Sequence, residues 1–350
     1  MSETTVPVTA EEVVGLLRPD IAAMEAYMPI VPFEVLSARL GLPRECLVKL
    51  DANENPYGAS PRALAAVSAF AFHHIYPDPE QHALREALAA YTQVDKAYIM
   101  AGAGADELID LICRLLIRPG DEVVTCPPTF GMYRFDALLQ GGRVVEIARR
   151  SDFSLRLDEI EGACQRIGTE RRPKILFLAS PNNPDGSIIS SETLRRLLRL
   201  PWLVVVDEAY AEFAGQSFSQ WVPMHHNLVV LRTFSKWAGL AGLRVGYGLF
   251  PLVLMPHLWK IKQPYNVNTA ATQAAIASLE DRTVLGERVA RIVAERARLY
   301  QQLQSIPYLR PYPSHANFIL CQVVGRDAFA LKRTLETKGI LLRYFNVTGL

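Results

Sequence analysis

Cysteine is scarce and scattered in this chain. The five present, Cys46, Cys113, Cys126, Cys164 and Cys321, form no C-x-x-C pair and no Cys/His cluster, which argues against a disulfide framework or a zinc site. No uncharged apolar run reaches the length of a membrane span. The N-terminal MSETTVPVTAEEVVGLL carries acids where a signal peptide carries a basic and then an apolar stretch, so the expectation is a reduced, cytoplasmic protein. An excess of one charge is also missing: 37 Lys plus Arg stand against 36 Asp plus Glu, a net charge of +1. That balance excludes a dedicated polyanion binder, so no nucleic-acid or membrane partner is expected and any phosphate bound is small. The adjacent pairs His73-His74 and His225-His226 do not aim two imidazoles at one ion, and no metal is expected. Internal repeats, polybasic runs and a nucleophile elbow are absent as well.

What the chain does contain is ordinary globular arithmetic: 350 residues, 50% hydrophobic and 21% charged. Short Val/Ile/Leu runs alternate with stretches of helical period. KAYIM, DEVVTC, RVVEIA, KILFLAS, WLVVVDEAY and NLVVLRTFS are the runs, and ELIDLICRLL is the clearest helix between them. Continuous apolar strands separated by helices predict an α/β domain, with a mostly parallel central sheet and helices on both faces. From Thr269 the texture changes to a long Ala/Arg/Glu-rich helical stretch with one break expected near Gly286. ANFILCQV, DAFALKRTLETKG and GILLRYF then read as a smaller α+β unit. The expected division is a large domain over 50–275 and a small one assembled from 1–49 and 276–350.

Polar residues interrupt the apolar strands at their ends. KILFLASPNNPDG runs into a turn carrying Asn182 and Asn183, at the sheet edge where open α/β folds bind ligands, although Asn-Asn-Pro alone also makes a plain turn. LVVVDEAY ends in Asp207, a carboxylate needing a cation or a strong donor, or else serving as a helix cap or structural ion pair. NLVVLRTFSKWAGLAGLRVGYG ends in Thr233, Ser235 and Lys236 before a Gly-rich stretch delivers Arg244. A lysine at a crowded strand end beside another cation is held partly neutral and can attack a carbonyl. The hydroxyls and the guanidinium fork suit a phosphate monoester. In MAGAGADELIDLICRLL a strand turns through Gly102 and Gly104 into a helix starting near Ala105, which presents free backbone N–H groups to an anion. Glu107 stands at the third glycine position of a dinucleotide fingerprint, which excludes that reading. PPTFGMY places Phe130 and Tyr133 where a ring can stack on a planar ligand or fill the core.

Taken in order, GAGADE, PPTFGMY, SPNNPDG, DEAYAEF and TFSKWAGLAGLRVGYG resemble the fold type I pyridoxal-phosphate aminotransferases. Together with LDANENPYG, YPDPEQHALREALA, KQPYNVN and SHANFIL, they resemble the histidinol-phosphate aminotransferase family over about Tyr27 to Leu350. The resemblance implies pyridoxal 5'-phosphate as cofactor, with Lys236 as the lysine that bonds it and moves protons. It implies Asp207 as partner of the pyridinium nitrogen, Asn183 and Tyr210 as partners of the ring's phenolate oxygen, and Tyr133 as the stacking ring. Gly104, Ala105, Asp106, Thr233, Ser235 and Arg244 match the phosphate cup. Tyr57 matches a tyrosine reaching the phosphate from the neighbouring subunit of a homodimer. Tyr27, Asn55, Tyr265, Asn317 and Arg343 fall in segments that face the substrate. The implied reaction converts L-histidinol phosphate and 2-oxoglutarate to imidazole acetol phosphate and glutamate, in histidine biosynthesis.

Two departures accompany the match. Asp185 stands where the family usually has Thr, a turn position where little consequence is expected. Family members also continue past GILLRYF into a strand with a second arginine and a final helix, whereas this sequence stops at Leu350. Alternatives stay open: an aromatic or broad-specificity aminotransferase or the related threonine-phosphate decarboxylase, which share the cofactor residues, and, from the missing arginine alone, a protein that binds the cofactor with impaired catalysis.

Overall fold

The computed structural model describes residues 8–25, 31–165, 173–347 and 349–350. Among them lie β1 (Val48–Lys49), β2 (Ile99–Gly102), β3 (Glu122–Thr125), β4 (Arg143–Glu146), β5 (Pro173–Ala179), β6 (Leu203–Asp207), β7 (Leu228–Thr233), β8 (Gly246–Leu249), β9 (Leu309–Pro311), β10 (Cys321–Val323) and β11 (Ile340–Leu341). Seven of these form the central sheet in the order β2-β8-β7-β6-β5-β3-β4. Strands β4, β3, β5, β6 and β7 run parallel, while β8 is antiparallel to both its neighbours. Every apolar run expected as a strand of this sheet is one. The RVGYG stretch, read only as a glycine-rich carrier of Arg244, supplies the reversed strand β8.

The alternation of side chains along a strand explains why these runs are apolar throughout. In β6, Val204 and Val206 enter one core and Leu203 and Val205 the other. The first core is closed by helices His82–Thr92 and Thr269–Glu280, which supply Leu84, Leu88, Ala271 and Ala275. The second is closed by Ala105–Leu116, Met132–Leu139 and Met255–Ile261, with Leu108, Tyr133 and Leu258 among their contributions. Asp207 therefore emerges on the second face and Arg232, on neighbouring β7, on the first.

Arg232 is almost wholly buried, 2.7 Å from Glu212, with its Nε 3.9 Å from Glu208. Replacing it by alanine leaves two buried carboxylates without their cation. We expect Arg232→Ala to cost about 3–5 kcal/mol in chemical denaturation, and a loss below ~1 kcal/mol would contradict this reading of the pair.

The long helical stretch breaks at Asp281, not near Gly286. Thr269–Glu280 ends there and Arg282–Gln304 begins, leaving Gly286 inside the second helix. The Asp281 N–H reaches back to the carbonyls of both Ala277 and Ser278, a closing turn rather than continued α-helix. A single helical glycine costs only about 1 kcal/mol and does not by itself end a helix. In the C-terminal part the strands are shorter than their apolar runs: within ANFILCQV and GILLRYF the strands are Cys321–Val323 and Ile340–Leu341. β11 pairs in parallel with β1, where Leu36, Leu47 and Leu341 make a small separate core.

Candidate active site

Parallel strands β5, β6 and β7 end side by side at Ala179, Asp207 and Thr233. The turn after β5 is held by Asn182, whose Nδ2 donates to the Pro128 carbonyl (2.9 Å) and whose Oδ1 accepts from Thr129 (2.8 Å). Asn183 lies half-buried in that turn. Asp185, expected to matter little, is buried: it accepts the Ser187 N–H at 2.7 Å and the amide of Asn182, so it knits the turn together.

Asp207 is buried, and its carboxyl is held at both oxygens. The Tyr133 hydroxyl donates to Oδ2 at 2.7 Å and the Ala209 N–H to Oδ1 at 3.0 Å. Burial pushes the carboxyl up to about 6, against the pull of the Tyr133 hydrogen bond. Lys236 is close enough to favour the Asp207 anion. Its own amine donates to the Ala52 carbonyl at 3.0 Å and sits 5.8 Å from the centre of the Tyr210 ring. Burial brings the amine down to about 8; Glu54 and Asp106 oppose this and Arg244 and Lys49 assist it. Tyr210 is buried edge-on to Phe318, and its hydroxyl accepts from Asn53 at 3.2 Å.

A glycine-lined edge forms where the helix Ala105–Leu116 meets β8. Gly104, immediately before the helix, has φ +86°, and a Cβ there would lie 2.5 Å from the Arg244 guanidinium. Gly246 permits an equally close approach, since its Cβ would lie 2.7 Å from the Ala105 nitrogen. The absent side chains let β8 and Arg244 press against the helix start. Arg244 bonds Asp106 at 2.8 Å in a half-exposed pair, so its cation is satisfied weakly and remains open to an anion. Thr233 and Ser235 are buried with their hydroxyls 2.9 Å apart, and the Ser235 N–H reaches the Thr233 hydroxyl at 3.1 Å.

Of the residues expected to face substrate, Asn55 and Asn317 join this cluster. Asn55 donates to the Trp237 carbonyl (2.9 Å) and Asn317 to that of Asn53 (3.0 Å). Tyr265 is stacked on Tyr76 with centroids 4.6 Å apart and both rings exposed. Tyr57 is exposed, its N–H on Asn55. Arg343 is exposed in the segment after β11 with its guanidinium over its near neighbour Phe345. Tyr27 lies outside the described residues. Tyr133 departs from the stacking role expected of it: its ring is fully buried face-to-face with Phe177 (4.9 Å, 2°), with Phe130 at its edge. Its hydroxyl, not its face, meets the site.

Sequence reasoning missed Asn53 and the Ala52 carbonyl. Asn53 adopts φ +53°, the left-handed region that asparagine tolerates, and this turn aims its amide at Tyr210. The density of asparagine in LDANENPYG was the available signal; a backbone carbonyl leaves none.

A fold of this topology, with an amine and a carboxylate at neighbouring strand ends beside a glycine-lined helix start, defines a class of transferase. The family model described as aminotransferase class I and II matches residues 45–350, and the chain belongs to that family. Its fold is that of the type I pyridoxal-phosphate transferases. Among its relatives, a histidinol-phosphate aminotransferase of Roseiflexus castenholzii is 54% identical over 346 residues, spanning 97% of this chain and 92% of that protein. The chloroplastic histidinol-phosphate aminotransferase of Nicotiana tabacum is 52% identical over 334 residues, 95% of this chain and 80% of that one. The crystal structure of histidinol-phosphate aminotransferase from Sinorhizobium meliloti in complex with pyridoxal-5'-phosphate superposes with a TM-score of 0.85 at 30% identity, covering 95% of this chain and 90% of that chain. L-threonine-O-3-phosphate decarboxylase from Porphyromonas gingivalis, at 21% identity and TM-score 0.71, shares the fold alone.

Proposed function

We propose that this chain is a pyridoxal-phosphate-dependent aminotransferase that takes the amino group of L-histidinol phosphate to 2-oxoglutarate, forming imidazole acetol phosphate and glutamate in histidine biosynthesis. One observation carries the reading: a buried carboxylate, Asp207, and a buried amine brought down to about 8, Lys236, lie together at adjacent strand ends. The relatives' shared activity supplies the substrate.

The residues fit the cofactor. Gly104 and Gly246 clear the backbone of a helix start at which Arg244 is only loosely paired, an arrangement suited to a phosphate ester. When bound, pyridoxal phosphate supplies an aldehyde for amines and a ring that draws in the electron pair left at a deprotonated carbon. Asp207, a buried carboxylate, would partner the ring nitrogen. Tyr210 and Asn183 would hydrogen-bond the ring's phenolate oxygen. Lys236 would hold the cofactor through its Nζ, and the same amine would take and return the proton of the carbon that bears the substrate's amine. An amine at about 8 is partly neutral near neutral pH, which both tasks require.

The sign of the pH dependence follows. Capture of added pyridoxal phosphate by the cofactor-free protein should quicken about tenfold per pH unit below ~8 and level off above it. Stopped-flow absorbance checks this, and a rate flat from pH 6 to 9 would contradict a buried neutral amine.

For the substrate we assign Tyr27, Asn55, Tyr265, Asn317 and Arg343. Tyr57 reaches the cofactor phosphate of a second copy, so the working unit is a homodimer in the cytoplasm. No described helix is long and apolar enough to cross a membrane. We also propose the division into a large unit over 50–275 and a small one from 1–49 and 276–350, which the pairing of β1 with β11 supports. The test is steady-state comparison of histidinol phosphate with phenylalanine, tyrosine and threonine phosphate. A higher kcat/KM for histidinol phosphate is expected, and a higher value for any of the others would replace this substrate assignment.

A further inference from the structure

Tyr133 is the second residue of its helix, with its ring flat on Phe177 and no surface exposed, so the ring has no freedom to swing. Among the described residues its hydroxyl has one hydrogen-bond partner, Asp207 Oδ2 at 2.7 Å. The other carboxylate oxygen is held by the Ala209 N–H at 3.0 Å. A carboxylate offers about four acceptor positions, so two donors fix its plane and leave lone pairs free for a third. The remaining charged or titratable groups felt by this pair are Lys236, Asp106 and Tyr210. Lys236 favours the Asp207 anion and Asp106 opposes it.

We propose that Tyr133 is a positioning residue: its hydroxyl orients Asp207 and keeps it ionised, so that the remaining lone pairs meet the cofactor's ring nitrogen. This rests on the reading of Asp207 as partner of that nitrogen. It differs from a stacking role because the hydroxyl does the work and the ring face is already occupied by Phe177. Without the hydroxyl, burial acts on the carboxylate with one donor fewer, so the neutral acid gains and the nitrogen loses its anion.

The test is Tyr133→Phe, which keeps the ring on Phe177, measured with pyridoxal phosphate and with its 1-deaza analogue, which has carbon in place of the ring nitrogen. Tyr133→Phe should weaken pyridoxal phosphate binding and lower kcat by about tenfold each, with KM for substrate little changed. It should bind the deaza analogue as tightly as the unaltered protein does, and it should add nothing further in an Asp207→Asn background. Equal binding of pyridoxal phosphate by Tyr133→Phe and the unaltered protein would overturn the proposal, and so would equal losses for both cofactors. Should Tyr133→Phe fail to melt cooperatively, Tyr133→Met fills the same space without a hydroxyl and is read the same way. Failure of the unaltered protein to bind pyridoxal phosphate at all would instead overturn the functional reading on which this rests.

Discussion

Lys236→Ala is expected to abolish turnover, by at least about 10⁴-fold, because one amine serves both as the covalent anchor and as the proton carrier. Each role alone is worth orders of magnitude, and neither Lys49 nor Arg244 can take over. Lys49 is tied at 3.0 Å to both Asp51 and Glu54, and Arg244 is paired with Asp106 at 2.8 Å. The variant should also lose the visible absorbance of protein-bound cofactor. The same substitution has a signature in the cofactor-free protein. Burial disfavours the charged amine in the folded state, so between about 8 and the ordinary 10.5 the unfolded chain binds the extra proton. The Lys236 contribution to stability therefore grows as pH rises through that window, and Lys236→Ala should flatten it. Persisting activity, measured on protein that melts cooperatively, would contradict the assignment.

Asp207→Ala is the second large effect. Removing a preorganised buried anion from the position where ring charge must be balanced should lower kcat by about 10²- to 10³-fold, a loss typical of such electrostatic groups. Some cofactor should remain bound, because the phosphate edge at Gly104, Ser235 and Arg244 is untouched. The stability change has the opposite pH direction to that of Lys236. The Asp207 carboxyl is pushed from 3.8 up to about 6, so the folded protein holds a proton there that the unfolded chain has released. Stability from this group is full below about 4 and is lost as pH rises through about 6. Alanine should remove that slope. Wild-type turnover in Asp207→Ala, measured at saturating cofactor, would refute its role.

The sheet was legible because its strands are buried on both faces: LVVVD and LVVLRT can hardly be anything else, and their polar last residues mark the edge at which they stop. Lys236, Asp207, Thr233, Ser235 and Arg244 were legible for the same reason, as polar groups that interrupt apolar runs. Less legible was anything set by a neighbouring segment distant in sequence. The strand β8 is four residues, two of them glycine, and only its pairing with β2 and β7 makes it a strand. The helix break at Asp281 lost to the more conspicuous Gly286. Tyr133 shows the limit most clearly: an aromatic in PPTFGMY announces a ring near the site, but which ring it lies on and what its hydroxyl touches depend on Phe177 and Asp207, 44 and 74 residues further along.

The central claim is that Lys236 is the residue that carries the cofactor. Borohydride reduction of the protein incubated with pyridoxal phosphate, followed by peptide mass mapping, tests it most directly. The account predicts a phosphopyridoxyl group on the peptide containing Lys236 and on no other at one equivalent of cofactor. Modification of a different lysine, with Lys236 recovered free, would contradict it.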